Sequence, residues 1–124
     1  MSKAQFLAER QRPGEIYAGL ILGKDGQPDY HLFLLEAKPK APLNWTDSNK
    51  WAASVGGELP NRCEQSLLFA NRKEHFDKGW YWSSEQNAHD GSYAWMQYFN
   101  DGLQDDIHKS HKYRARAVRR ELII

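Results

Sequence analysis

Five histidines, a single cysteine and sixteen carboxylates are the side chains of this 124-residue sequence with which a protein performs proton transfer, nucleophilic attack or metal binding. His31, His75, His89, His108 and His111 are scattered along the chain. Only His108 and His111 lie close, three apart, a spacing that suits one face of a helix, but the residues around them read as a loop or strand end. No cysteine or carboxylate stands at a defined zinc spacing from them, so no zinc site is assembled. Cys63 falls at a predicted helix start, where a thiol is activated by the positive end of the helix. With no second cysteine in the chain, an inert half-buried thiol is the simpler reading. There is no serine–histidine–aspartate order, phosphate-cradling glycine loop or paired-acid motif. We therefore assign no catalytic residue, no metal and no cofactor, and read the chain as a non-enzyme.

Binding chemistry is better represented. After Glu85 the sequence carries Gln86, Asn87, His89, Asp90, Tyr93, Gln97, Asn100, Gln104, Asp106, His108 and Lys109, polar and aromatic side chains of the kind that loops and exposed strand faces use in recognition. Asn87, His89, Asp90, Tyr93, Gln97, Asn100, Gln104, Asp106, His108 and Lys109 are the candidate ligand-binding residues; the plainer alternative is a solvated face. A second cluster, Arg114, Arg116, Arg119 and Arg120, is basic within seven residues. Strand alternation places Arg114, Arg116 and Arg120 on one face, suited to phosphate or an acidic protein, but ion pairing with nearby carboxylates explains them more simply.

The elements that must position these residues follow from the pattern. Ile16 to Leu22 and Tyr30 to Leu35 are β-rich runs around the turn formers Gly23 to Asp29, which predicts a hairpin. Residues 1–14 form a polar lead-in, with a short helix over Ala4 to Arg10. Thr46 is placed to cap a helix over Asp47 to Val55, ended by Gly56-Gly57. Asn61 and Glu64 form a capping box for a second helix, whose stripe Leu67, Leu68 and Ala70, with Phe76 beyond, reads as core. Beyond Gly79 the period changes to alternation. Trp80 to Trp82, Tyr93 to Phe99, Leu103 to Ile107 and Tyr113 to Val118 read as strands, with Asp90-Gly91 and Asn100-Asp101-Gly102 as turns. An opening hairpin, two helices and a meander of strands make an α+β domain over 15–124.

Composition narrows the partners. Lysine plus arginine exceeds aspartate plus glutamate by one, so the overall field gives no reason to expect nucleic acid or an anionic membrane. No stretch approaches the roughly 20 apolar residues of a membrane span, and the polar N-terminus has no signal-peptide run. A lone cysteine makes folding independent of an oxidising compartment, which points to the cytoplasm at synthesis. Exposed aromatic residues on so small a domain leave room for a homo-oligomer.

Several motifs recur in a familiar order: Leu43-Asn44-Trp45-Thr46, Glu58-Leu59-Pro60-Asn61-Arg62, Trp80-Tyr81-Trp82-Ser83-Ser84-Glu85, Tyr93-Ala94-Trp95, Phe99-Asn100-Asp101-Gly102 and Arg116-Ala117-Val118-Arg119. Over roughly Leu43 to Arg120 the chain resembles the Lcl C-terminal domain family, a domain of unknown function with a C-type-lectin-like fold found in bacterial surface, phage and prophage proteins. The resemblance implies two helices packed on a small antiparallel sheet, and a phage or prophage origin with the virion as one destination. Glu58 departs from the arginine that often precedes the Leu-Pro pair. Two triplets are reminiscent of calcium-dependent lectins. Gln27-Pro28-Asp29, however, lies in the early hairpin, and Phe99-Asn100-Asp101 is explained as a turn. Asp105 and Asp106, as strand neighbours, point to opposite faces. The related oxidases of this superfamily need two cysteines, which this chain lacks. The resemblance thus implies a recognition module for a protein or glycan ligand. The second reading is a small intracellular phage protein that inhibits a host factor by binding it.

Overall fold

The computed structural model describes residues 2–123. Along the chain run α1 (Lys3–Arg10), β1 (Glu15–Ile21), β2 (Tyr30–Leu35), α2 (Trp45–Ser54), α3 (Arg62–Arg72), β3 (Trp80–Gln86), β4 (Tyr93–Tyr98), β5 (Gln104–His108) and β6 (Val118–Leu122), with one 3₁₀ turn at Lys73–His75. The architecture is α+β, with two antiparallel three-stranded sheets ordered β1-β2-β6 and β3-β4-β5. No described helix is long and apolar enough to cross a membrane.

The predicted hairpin forms, in the register Glu15↔Leu35 to Ile21↔Tyr30, with an irregularity between Tyr17 and Gly19. Gly19 sits there at φ 132°, where a Cβ would come within 3.1 Å of Asn71 Nδ2 on α3. Its lack of a side chain thus lets helix and strand approach closely. Helix α1 is tied to this sheet. Ser2 and Gln5 form a reciprocal capping box, and Phe6 packs its ring against Tyr17, His31 and Phe33 at centroid distances of 5.7, 4.2 and 6.4 Å.

The cap of α2 differs from the sequence expectation. Asn44, not Thr46, accepts from the Asp47 amide, and the helix starts two residues earlier, at Trp45. Both residue types cap helices, but asparagine is the better cap and stands at the required three-residue separation. In α3 the Asn61–Glu64 capping box is present in both directions. The stripe is less apolar than the pattern implied: the buried residues are Glu64, Gln65 and Leu68, while Leu67 and Phe69 are partly buried and Ala70 is exposed.

The stretch from Gly79 to Arg120 does not form a single sheet. Tyr113 and Arg114 make only isolated bridges, to Leu43 and Tyr81, and Ala115 to Val118 are all buried. Alternation fails there because the segment passes between the two sheets and is covered on both sides. The ladder resumes at Val118, where β6 pairs with β2 rather than with the meander. Two cores result. One joins α3 to the β1-β2-β6 sheet through Leu32, Leu34, Leu68, Tyr81, Phe99 and Val118. The other joins α2 to the second sheet through Ala52, Leu59, Trp82, Ala94, Met96 and Ala117.

Three of the four clustered arginines turn inward. Arg119 binds Glu15 at 2.6 Å, and Arg120 binds Glu64 at 2.6 Å and also reaches Glu58. The glutamate at position 58, where the resemblance leads one to look for arginine, is thus itself half of an ion pair. Arg116, 3% exposed, donates to the carbonyls of His75 and Leu35. Arg114 remains exposed.

Candidate functional site

The β4–β5 ladder sets the site. Its register pairs Tyr93 with His108, Trp95 with Asp106 and Gln97 with Gln104, so these six side chains share one face of the sheet. The N-terminal turn of α3 lies across one end of that face. There Gln97 is completely buried and donates to the Gln65 carbonyl at 2.7 Å. Gln104 donates to the Arg62 carbonyl at 2.8 Å and to Gln97 Oε1 at 2.9 Å, and accepts from Arg62 Nε at 2.9 Å. Gln97 thus satisfies buried polar groups between helix and sheet and is not part of a surface, while the partly buried Gln104 has its amide engaged at the edge of the same contact.

Beyond the helix the same face is open. The Arg62 guanidinium stands 3.6 Å from the centroid of the Trp95 ring. Asp106 accepts from Asn87 Nδ2 at 2.6 Å, and the Tyr93 and His108 rings meet edge to face at 5.6 Å. Glu85 joins the rim by accepting from the Arg62 amide at 2.6 Å. The adjoining β3–β4 loop is pre-ordered by its own side chains. Asn87 Oδ1 accepts from the amides of His89 and Asp90, and Asp90 accepts from both the amide and the hydroxyl of Ser92. Those Ser92 hydrogen bonds hold the Asp90 carboxyl below its ordinary value.

The ten candidate residues therefore separate. Asn87, Tyr93, Asp106 and His108 come together on the open face, with His89 and Asp90 in the loop beside them. Lys109 goes to the opposite side, 4.2 Å over the Trp45 ring and hydrogen-bonded to Gln86. Asn100 lies in the β4–β5 turn at the far end of the strand pair, where its Oδ1 accepts from the Gly79 amide at 2.9 Å. Three members of the surface were not among the candidates: Arg62, Glu85 and Trp95. The period of two that selects Tyr93 and Gln97 also selects Trp95, a large apolar ring of the kind that more often fills a core. Nothing in the sequence singles out Arg62, because its place at the site depends on how α3 crosses the sheet.

This surface offers donors, acceptors and ring faces for binding. The one histidine–hydroxyl contact on it, His108 Nδ1 to Ser110 Oγ at 2.8 Å, lies within a turn that also bonds the Ser110 amide to the same ring nitrogen. Cys63 is exposed at the start of α3 rather than half-buried. Among the described residues no three histidine, cysteine, aspartate or glutamate side chains group in a way that could hold a metal ion. Asp105 pairs in register with Met96 and Asp106 with Trp95, so the two carboxylates face opposite sides. Calcium needs several oxygens converging on one point. Melting curves in millimolar calcium and in chelator should accordingly superimpose, and a rise with calcium would contradict this geometry.

Compared with protein-family models and with curated proteins, the chain gave no match.

Proposed function

We propose that this protein is a non-enzymatic recognition module that binds a protein or glycan on the open end of the β4–β5 face, and that it is a C-type-lectin-like domain of the Lcl C-terminal type, of phage or prophage origin. The observation that carries the recognition reading is the Arg62–Trp95 stack flanked by the Asn87–Asp106 and Tyr93–His108 pairs. Aromatic rings and arginine are the side chains that contribute most at binding surfaces, and here they are already held in place before a ligand arrives. The fold reading draws support from the order of motifs and from two capped helices lying between an opening hairpin and a strand that returns to it.

The test uses the immobilised protein against a glycan array and against extracts of candidate host cells. The wild type is expected to retain a glycan or a defined protein. The double variant Tyr93→Ala/His108→Ala is expected to lose it with an unchanged melting temperature, since Tyr93 and His108 are both exposed. Retention by the double variant would remove this face from the function.

A further inference from the structure

A second site lies apart from that surface and shares no residue with it. A cleft of about 180 Å³ opens between the β2–α2 connection and the buried segment that leads into β6. Its walls include Lys38, Lys40, Arg114 and Arg116, facing the single carboxylate of Asp77, and Tyr81 contributes to the lining. Among the described residues none of these four cations forms an ion pair.

Arg116 distinguishes this cleft from a chance cluster of surface charge. It is 3% exposed, and its guanidinium bonds two neutral carbonyls, those of His75 and Leu35. Its Nε is buried without a partner among the described residues. Burial pushes its pKa below the ordinary guanidinium value, while Tyr81, Asp77 and Glu36 offset this only in part and without contact. Guanidinium stays protonated all the same. A buried, unpaired cation is expensive, and such a charge is normally matched by a carboxylate or another anion. Arg119 and Arg120, two elements of the same cluster, have their glutamates; Arg116 has none.

We propose that the cleft is an oxyanion site, in which Arg116 supplies the buried charge and Lys38, Lys40 and Arg114 close around the phosphate or carboxylate group of a small ligand. Arginine matches the planar geometry of such groups, and the lysines add charge that follows the anion as it enters.

Inorganic phosphate and acetate are the probes, titrated separately against the full chain, with sodium chloride at equal ionic strength as the reference. Binding at about ten times the dissociation constant should raise the melting temperature by roughly 5 °C over chloride. A rise with phosphate alone assigns a phosphate-bearing ligand, and a rise with acetate assigns a carboxylate. Lys40→Glu/Arg114→Glu should abolish the rise; both residues are exposed and make no side-chain hydrogen bond among the described residues, so the ligand-free melting temperature should hold. If the double variant does not fold, Lys40→Glu alone should weaken the response several-fold. Equal melting temperatures in phosphate, acetate and chloride, or an undiminished rise in the variants, would overturn the proposal.

Discussion

Arg120→Ala is expected to destabilise the protein by about 3–5 kcal/mol, because it strands a charge that the fold has fully buried. Glu64 is 0% exposed, yet its carboxylate accepts from Arg120 Nε and Nη2 at 2.6 and 2.9 Å, from the Asn61 amide at 2.8 Å and from the Tyr30 hydroxyl at 2.7 Å. Burial by itself would raise the Glu64 pKa; the bonds from Arg120, Asn61 and Tyr30 outweigh it and hold the group below its ordinary 4.5. The same arrangement pushes Tyr30 up to about 12, through burial first and the neighbouring carboxylate second. In the wild type, Glu64 therefore contributes stability above its unfolded pKa, and that contribution is lost as pH falls through the depressed folded value. Arg120→Ala removes the strongest of the lowering contributions. Burial is then opposed only by the Asn61 and Tyr30 bonds, so the folded pKa of Glu64 should rise and protonation should cost the variant less than the wild type. The stability gap should thus narrow on acidification. Urea unfolding of both proteins at neutral pH and below pH 4.5 measures it, and a gap that stays constant or widens would show that Glu64 is not the stranded charge. Glu64→Gln combined with Arg120→Met should cost less than Arg120→Ala alone, since no unpaired buried charge then remains at this position.

Trp82→Ala should cost a similar amount, about 3–5 kcal/mol, for a different reason. The indole is wholly buried in the α2 core, meets Tyr113 edge to face at 5.6 Å, and donates Nε1–H to the Leu43 carbonyl at 2.9 Å. Truncation leaves a cavity that the surrounding strands cannot close. It also removes one of two donors to Leu43 O, the other being the Tyr113 amide at 3.0 Å. The bridge that fixes the start of the buried segment should loosen first. Denaturant unfolding gives the overall loss, and amide exchange at Leu43 and Tyr113 should quicken beyond that of the β1–β2 hairpin. A loss below about 1 kcal/mol would mean that the core repacks around the missing ring.

What the sequence made legible was local. The hairpin, the Asn61–Glu64 box and the turns at Asp90-Gly91 and Asn100-Asp101-Gly102 depend on neighbours a few residues apart, and they stand where the pattern puts them. The errors concern covering. Alternation from Tyr113 to Val118 implied a half-exposed strand, but a segment enclosed on both sides obeys no period of two. Gln97 and Gln104 carry the polarity of a binding face and lie on it, yet α3 crosses over them, and where a helix crosses a sheet is written in no local motif. For the arginines the simple ion-pair explanation holds at Arg119 and Arg120 but not at Arg116, whose partners are carbonyls.

The return of β6 to the first hairpin also dictates an order of events during synthesis. Arg119 must find Glu15, 104 positions earlier, and Arg120 must find Glu64 before either charge is compensated. A two-stranded hairpin has marginal stability by itself. The first sheet is therefore completed only once residues 118–122 have left the ribosome, although α3, which covers Leu32 and Leu34 through Leu68, is made earlier. Such long closures slow folding, so the edge of β2 that β6 later occupies stays unpaired while the intervening residues are made, a stage at which a chaperone would find its substrate.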